Sequence, residues 1–299
     1  MSGEVLTIPS FGKINLHLQV IGRRPDGFHD LCTVFQTISI HDTIIVEPAE
    51  AIEFSCDDET IPVGEGNIMV RAANALRDLG NCNYGANICL EKRIPSPGGL
   101  GGGSSNAAVV LLALRKLWKL DVELSKLHKI AESLGSDVPF FLYGGTALGM
   151  GRGEIVEQID DFCEKYMLIV TPNVAVATRD AFKRLQVRAL TKQDSERILR
   201  LCRLDLESAD FKHTAFTNDF ETTVFATYPE VERVKQTLLD LDADRAMLSG
   251  SGGSVFAVFD KEETRQTAMK ALDDEVNWRK FAVATISRNE YREALKEVF

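Results

Sequence analysis

The chain has 299 residues, 44% of them hydrophobic, which is an ordinary composition for a globular protein of one large or two average domains. Its net charge of −10 argues against nucleic acid or an anionic membrane as a partner, so any phosphate site must be a local feature. No apolar run of about 18 residues occurs, which argues against a membrane-spanning helix.

The chain carries six cysteines, none of them in a C-x-x-C pair or near a histidine at zinc spacing. Scattered thiols are typical of a reducing compartment. The first residues lack the basic start and the apolar core of a signal peptide. We therefore expect a cytoplasmic protein without a cysteine-held metal. We separately expect a monomer or a weak homodimer.

Residues 14–20 alternate between apolar and polar side chains, which predicts a half-buried strand. Lys13 and Asn15 fall on its polar side. From spacing alone, a solvated strand face is the simpler interpretation of both residues.

A Pro-Asp-Gly turn predicts a loop over 22–31 that ends with Phe28 and His29. An aromatic ring beside a histidine can hold a flat ligand, or it can anchor the loop to the core; the sequence leaves both open. Further along the chain we predict a helix over 67–79, a turn at 41–42, and strands over residues 33–40, 43–47, 52–56 and 87–92.

The stretch over 94–118 carries the strongest signal. Five glycines occupy the six positions 98–103, and the apolar residues that follow at helical spacing predict a buried helix. Ser104, Ser105 and Asn106 are residue types of a helix cap or first turn. A glycine loop at the start of a helix aims N–H groups and the positive dipole end at one place, which favours a phosphate site over a simple turn. The loop lacks the lysine of a Walker A motif.

A helix over 123–134 comes next, followed by the segment SDVPFF at 136–141. Asp137 with Pro139 just beyond resembles a helix N-cap, and capping is a sufficient structural reason for this aspartate. Residues 144–154 have the composition of a strand with turns, and they end this half of the chain. We place a domain boundary in the acidic stretch 160–164.

The second half restarts with a buried-type strand, and its element order is that of an elaborated split β-α-β sheet. A second glycine cluster, SGSGG, occupies 249–253. The predicted strands span residues 166–171, 245–248, 255–259 and 281–286, and the predicted helices span residues 178–185, 192–204, 229–241 and 262–272.

Three motifs now stand in order: PSFGKIN at 9–15, PGGLGGGSSNAA at 97–108 and LSGSGGSVFAVF at 248–259. Together they resemble the GHMP kinase superfamily over essentially the whole chain. The run RPDGFHDL at 24–31, SDVPFF and NDFE at 218–221 resemble, within it, the family of 4-diphosphocytidyl-2-C-methyl-D-erythritol kinases.

The resemblance implies an α+β, two-domain GHMP kinase fold. The N-terminal domain, over 1–160, would be like domain 2 of a ribosomal small-subunit protein, and the C-terminal domain, over 165–299, would be ferredoxin-like. It also implies ATP- and Mg²⁺-dependent phosphorylation of a small cytidine diphosphate substrate in non-mevalonate isoprenoid biosynthesis, without a nucleic acid or membrane partner. The alternatives are another GHMP kinase, such as a homoserine kinase, or a non-catalytic nucleotide-binding module.

By the same resemblance, Lys13 and Asp137 match the family's catalytic pair. The matching substrate contacts are Asn15, Phe28, His29, Thr178 and Phe182. The matching ATP contacts are Pro97, Gly98, Gly99, Leu100, Gly101, Gly102, Gly103, Ser104 and Ser105, with Asn67 and Ile68 at the adenine end. No residue is assigned as a metal ligand.

The chain departs from the family pattern at several positions. Phe11 and Gly12 precede the lysine where proline and alanine are usual, and Phe28 stands where tyrosine is common. Asn106 replaces a frequent aspartate, which argues against a direct metal role at that position, and Gly253 stands where alanine or proline is common. None of these changes removes a catalytic group.

Overall fold

Two antiparallel-rich sheets with helices packed on them organise the protein. A computed structural model of the chain describes residues 5–185 and 216–299, together with residues 187, 191, 193, 196–200 and 203. The predicted helix over 192–204 lies partly outside the described residues, and Cys202 lies wholly outside them.

The first sheet is built on two long strands, β1 (Leu6–Arg23) and β2 (His29–Ala49), which pair antiparallel along their lengths. The rest of the sheet follows the order β3-β4-β2-β5-β6. Only β3 and β4 pair in parallel. The bounds of these strands are Ile52–Cys56 for β3, Gly85–Glu91 for β4, Thr146–Gly151 for β5 and Ile155–Gln158 for β6.

The predicted turn at His41 and Asp42 is wrong, because β2 runs straight through both residues. Asp42 is polar but completely buried, and it is held by hydrogen bonds from the segment that leads to the glycine loop. A register shift between Phe11 and Gly12 on the facing strand absorbs the irregularity. Asp42 therefore marks a buried hydrogen-bonding site within a strand.

Three helices cover the first sheet: α1 (Ile68–Leu79), α2 (Gly102–Leu117) and α3 (Leu124–Leu134). The prediction that α2 is buried is confirmed, since every residue from 105 to 114 is buried. It packs against both long strands, so the main core lies between α2 and the sheet. A short 3₁₀ helix, Pro139–Leu142, follows α3.

The second sheet has the order β10-β7-β9-β8 and is antiparallel throughout. This is the arrangement expected of a ferredoxin-like sheet. Its strands are β7 (Met167–Pro172), β8 (Arg245–Leu248), β9 (Val255–Val258) and β10 (Trp278–Val283). Its helices are α4 (Thr178–Arg184), α5 (Phe220–Thr227), α6 (Pro229–Asp240) and α7 (Glu262–Ala271).

The sequence missed β6, α5 and a last helix, α8 (Arg288–Ala294), and it placed β10 three residues late. Helix α8 is capped by Ser287 and Glu290 in a capping box. Its one fully buried aromatic residue, Tyr291, joins the core of the first sheet. The end of the chain therefore packs on the N-terminal half.

Candidate active site

A cavity of about 1010 Å³ lies beside the glycine loop. The residues that line it come from β1, the loop after it, the glycine loop, the segment before the 3₁₀ helix, α4 and the second glycine cluster. The cavity brings together seven residues that the sequence predicted as catalytic or substrate-binding: Lys13, Asn15, Phe28, His29, Asp137, Thr178 and Phe182.

Lys13 is buried at the base of this cavity, with only 3% of its side chain exposed. Its Nζ atom donates to Oδ1 of Asn15 at 2.6 Å and to the carbonyl oxygen of Gly99 at 2.9 Å. It lies 3.4 Å from Oδ2 of Asp137. The solvated strand face inferred from spacing is therefore wrong, because the two glycine-rich loops cover this part of β1.

Asp137 does not cap a helix. The N-cap of the 3₁₀ helix is Val138, and no side chain bonds to its first amides. The carboxylate of Asp137 instead faces Lys13 and remains 34% exposed to the cavity. A half-exposed carboxylate beside a buried ammonium group can receive a proton from a ligand while its position stays fixed.

The amide of Asn15 is fixed from both ends. Its Nδ2 atom donates to Oγ1 of Thr33 at 2.7 Å, and that hydroxyl donates to the carbonyl oxygen of His17 at 2.6 Å. This chain of bonds fixes which end of the amide faces Lys13, so Asn15 holds the ammonium group by its oxygen.

The glycine loop meets the second glycine cluster backbone to backbone. The N–H of Ser254 donates to the carbonyl oxygen of Gly98 at 3.1 Å. The hydroxyl of Ser249 donates to the carbonyl oxygen of Gly99 at 3.1 Å. Gly99 has φ +79°, and a Cβ there would collide with the carbonyl oxygen of Ser249. Gly250 approaches Lys13 closely enough that a Cβ would lie 3.2 Å from its Nζ atom.

We expect Gly99→Ala to lower the free energy of unfolding by at least about 1–3 kcal/mol, because it forces a side chain into the left-handed region and into the second loop. Gly103→Ala is the matched control. Gly103 lies in the first turn of α2 with 4.0 Å of room around a Cβ, so alanine should stabilise the helix by up to about 1 kcal/mol. Chemical denaturation measures both; equal stability of the two variants would contradict this packing.

The helix that follows the loop starts earlier than its polar residues indicated. Gly101, in the left-handed conformation, is the N-cap of α2, so the serines belong to the first turn. The hydroxyl of Ser105 is buried and accepts a hydrogen bond from Ser10 at 2.7 Å. Ser104 is partly exposed. Of the two serines, Ser104 is the one whose hydroxyl can face a ligand.

A buried carboxylate anchors the approach to the loop. Asp42 accepts hydrogen bonds from Nζ of Lys92 at 2.9 Å, from the N–H groups of Arg93 and Ile94 at 2.7 and 2.8 Å, and from Nδ2 of Asn106 at 3.0 Å. Asn106 therefore uses its amide to hold the loop in place. This contact explains why an amide works at that position in this chain.

The two residues predicted at the adenine end, Asn67 and Ile68, have structural roles at the start of α1. Asn67 is the N-cap of α1, accepting from the N–H of Met69 at 2.8 Å and donating to the carbonyl oxygen of Pro62 at 2.6 Å. Ile68 lies beside Gly103, across from the start of α2. Neither lines the cavity described above, and the same is true of Pro97, Gly98, Leu100, Gly102, Gly103, Ser104 and Ser105.

The other end of the cavity is aromatic. The rings of His29 and Phe182 stack with their centroids 5.2 Å apart, and Phe220 meets Phe182 edge-on at 4.7 Å. Phe28 is 53% exposed, and the guanidinium of Arg152 lies 5.1 Å from its ring centroid. One ring face is thus held by a cation, which leaves the ring oriented for stacking.

Burial and the nearby positive charge of Arg23 lower the pKa of His29 below its ordinary value. The imidazole is therefore neutral at pH 7 and offers one donor and one acceptor nitrogen. A neutral ring of this kind can recognise the polar edge of a base by hydrogen bonds.

Sequence reasoning missed three cationic residues that line the cavity: Arg23, Arg152 and Lys183. Nothing in their spacing distinguishes them from ordinary surface charges, because they are brought together only by the fold. Ser251 was also missed, although it lies in the second glycine cluster; its hydroxyl bonds to that of Thr178 at 3.2 Å.

Within the part of the chain that the structure describes, no helix is long and apolar enough to cross a membrane. The same residues contain no group of three or more His, Cys, Asp or Glu side chains placed to hold a metal ion.

Comparisons with known proteins identify the family of this chain. The family model described as GHMP kinases N terminal domain matches residues 67–145, and the one described as GHMP kinases C terminal matches residues 187–277. The 4-diphosphocytidyl-2-C-methyl-D-erythritol kinase of Chlorobium limicola is 40% identical over 90% of this chain and 94% of its own length. The kinase of the same name from Thermodesulfovibrio yellowstonii is 35% identical over 90% of this chain and 95% of its own length.

Solved structures give the same picture. A crystal structure of 4-(cytidine 5'-diphospho)-2C-methyl-D-erythritol kinase superposes with a TM-score of 0.76 at 30% identity, covering 94% of this chain and 99% of the other. Homoserine kinase from Cytophaga hutchinsonii superposes with a TM-score of 0.72 at 20% identity over 97% of both chains, a likeness of fold alone. The chain belongs to the GHMP kinases, as a member of the 4-diphosphocytidyl-2-C-methyl-D-erythritol kinase family of ATP-dependent small-molecule kinases.

Proposed function

We propose that this protein transfers the γ-phosphoryl group of ATP to the 2-hydroxyl of 4-diphosphocytidyl-2-C-methyl-D-erythritol, giving the 2-phosphate and ADP, in non-mevalonate isoprenoid precursor biosynthesis. The observation that carries the proposal is one cavity with the Lys13–Asp137 pair at its base, a glycine loop on one side and an aromatic end on the other. Release of ADP with this acceptor, against homoserine and mevalonate, tests it.

The chemistry assigns a role to each member of the pair. Asp137 accepts or orients the proton of the attacking hydroxyl. Lys13 stabilises the negative charge that develops on the transferring group, and Asn15 and Gly99 hold its ammonium in place. Because phosphoryl transfer has a loose transition state, positioning and charge neutralisation account for most of the catalysis.

The N–H groups of the glycine loop and the positive end of α2 hold the phosphates of ATP. The proposed nucleotide contacts are those named from the family motif, residues 97–105 with Asn67 and Ile68. The partly exposed hydroxyl of Ser104 suits Mg²⁺, which prefers hard oxygen ligands and keeps phosphate and water in its shell. When bound, Mg²⁺ neutralises charge on the phosphates.

The aromatic end is assigned to the cytosine. Phe28 and Phe182 stack on it, His29 recognises its polar edge, and Thr178 supplies a hydroxyl contact. The three cations that sequence reasoning missed, Arg23, Arg152 and Lys183, supply positive charge for the diphosphate that joins the base to the acceptor alcohol.

We expect Phe28→Ala to raise KM for the cytidine substrate by about 10-fold, as the loss of a base-stacking ring does elsewhere, while KM for ATP changes little. Steady-state kinetics with each substrate varied in turn measures both values. Tyr84→Ala removes an aromatic ring that is similarly exposed and lies outside the cavity, and it should leave both unchanged. An equal rise of both KM values in Phe28→Ala would remove the stacking role.

The rival activity is phosphorylation of a small alcohol such as homoserine. The overall fold is compatible with it, but stacked His29 and Phe182 suit a planar base better than an amino acid. A nucleotide-binding module without catalysis is disfavoured by the close Lys13–Asp137 pair.

The organisation that we propose divides the chain into an N-terminal domain over 1–160 and a C-terminal domain over 165–299. Each half contributes one glycine loop to the site. The acidic net charge supports a small-molecule substrate over a nucleic acid or membrane partner. We propose that the protein works in the cytoplasm as a monomer or a weak homodimer.

A further inference from the structure

Tyr291 contacts both segments that carry the catalytic pair, although it is fully buried and does not line the cavity. Its hydroxyl donates to the carbonyl oxygen of Phe141 at 2.6 Å, four residues after Asp137. Its ring centroid lies 5.7 Å from that of Phe11, two residues before Lys13. One side chain of the last helix thus touches the supports of both catalytic groups.

Phe141 extends this contact toward the site. A Cβ on Gly101 would lie 2.9 Å from Cζ of Phe141 and 2.9 Å from Cγ of Lys13. The ring of Phe141 and the stem of Lys13 therefore converge on the same glycine. A shift of the Phe141 backbone would change the packing around the lysine as well as around the aspartate.

The fit around the tyrosine leaves little freedom. Gly144 has φ +65°, and a Cβ there would collide with the ring of Tyr291, so the backbone lies flat against the ring. Burial raises the pKa of the Tyr291 hydroxyl, which keeps it protonated and able to donate.

The segment before Tyr291 is itself joined to the strand that faces Lys13. Lys13 pairs across β1 and β2 with Thr37. The carbonyl oxygen of Thr37 accepts a hydrogen bond from the N–H of Ile286 at 2.9 Å. The N–H of Thr37 donates to the carbonyl oxygen of Gly145 at 3.0 Å. Arg288 donates to the carbonyl oxygen of Thr146 at 2.6 Å. These bonds tie the segment before α8 to the strands behind the site.

We infer that Tyr291 is a positioning residue that fixes the separation between Lys13 and Asp137 from behind, through its contacts with Phe141 and Phe11. The inference rests on the proposed function, since it concerns the same catalytic pair.

The test compares Tyr291→Phe with Tyr143→Phe. The first removes the hydrogen bond to Phe141 and keeps the ring. The second removes a hydrogen bond of similar length, 2.9 Å from the Tyr143 hydroxyl to Nδ1 of His128. Tyr143 lies in the same segment as Phe141, but the carbonyl oxygen of Phe141 is bonded by Tyr291. Both replacements are conservative, so folded protein is expected from each.

Tyr291→Phe should lower kcat about 10-fold or more, because small displacements of reacting groups are costly, with KM for either substrate within about twofold of wild type. Tyr143→Phe should retain wild-type kcat. Equal kcat values for the two variants, or a loss confined to melting temperature, would overturn the inference. Turnover by the wild type in the same assay tests the proposed function separately, so an active wild type matched by Tyr291→Phe refutes only the positioning role.

Discussion

Asp137→Asn is expected to lower kcat by about 10²-fold or more, the range typical of a lost general base. The amide keeps the size and shape of the carboxylate, but it cannot take the proton of the acceptor hydroxyl. It also removes the negative charge that lies 3.4 Å from Nζ of Lys13. Initial rates of ADP release at saturating concentrations of both substrates measure the change.

The control for this variant is nucleotide affinity. Asp137 lies before the 3₁₀ helix, whereas the proposed phosphate contacts come from the glycine loop and the start of α2. Titration with ATP should therefore give a Kd close to that of the wild type. Unchanged turnover would remove Asp137 from the mechanism, and lost ATP binding would indicate a structural role.

Lys13→Met is expected to lower kcat by about 10²–10³-fold, as the loss of one preorganised donor to a developing charge does in other enzymes. Methionine keeps the apolar stem but leaves Oδ1 of the buried Asn15 without its donor, whereas the carbonyl oxygen of Gly99 keeps the hydroxyl of Ser249. The free energy of unfolding should fall by about 1–3 kcal/mol for the buried acceptor on Asn15. Single-turnover kinetics and chemical denaturation measure the two effects.

Lys235→Met is the matched control for the lysine. It breaks a closer ion pair, 2.7 Å to Glu221, which lies outside the catalytic cavity. Its turnover should equal that of the wild type. A similar loss in both variants would mean that the Lys13 effect comes from destabilisation rather than from charge at the reacting group.

The elements that the sequence predicted well are those whose signal is local. The buried helix α2 and the strands around the second glycine cluster follow directly from apolar runs and glycines. The turn at His41 and Asp42 failed because Asp42 finds its donors 50 to 64 residues away along the chain. Helix α8 was missed because its single buried aromatic residue gives no helical period.

The residues of the site show the same difference between local signals, which the sequence reveals, and long-range contacts, which it does not. The alternation of β1 correctly put Lys13 and Asn15 on one face, but whether that face is solvated depends on two distant loops that cover it. Asp137 gave a local capping signal that its surroundings override. Arg152 stacks on Phe28 across 124 positions of sequence, and no spacing rule predicts a contact of that range.

The measurement that tests the central claim most directly is ADP release in Mg-ATP with 4-diphosphocytidyl-2-C-methyl-D-erythritol, with homoserine and mevalonate in parallel. We predict turnover with the cytidine compound alone, because homoserine and mevalonate carry no planar base for the aromatic end that we propose as the cytosine site. Turnover with homoserine or mevalonate and none with the cytidine compound would contradict the substrate assignment. Binding of ATP without turnover of any acceptor would contradict the kinase itself.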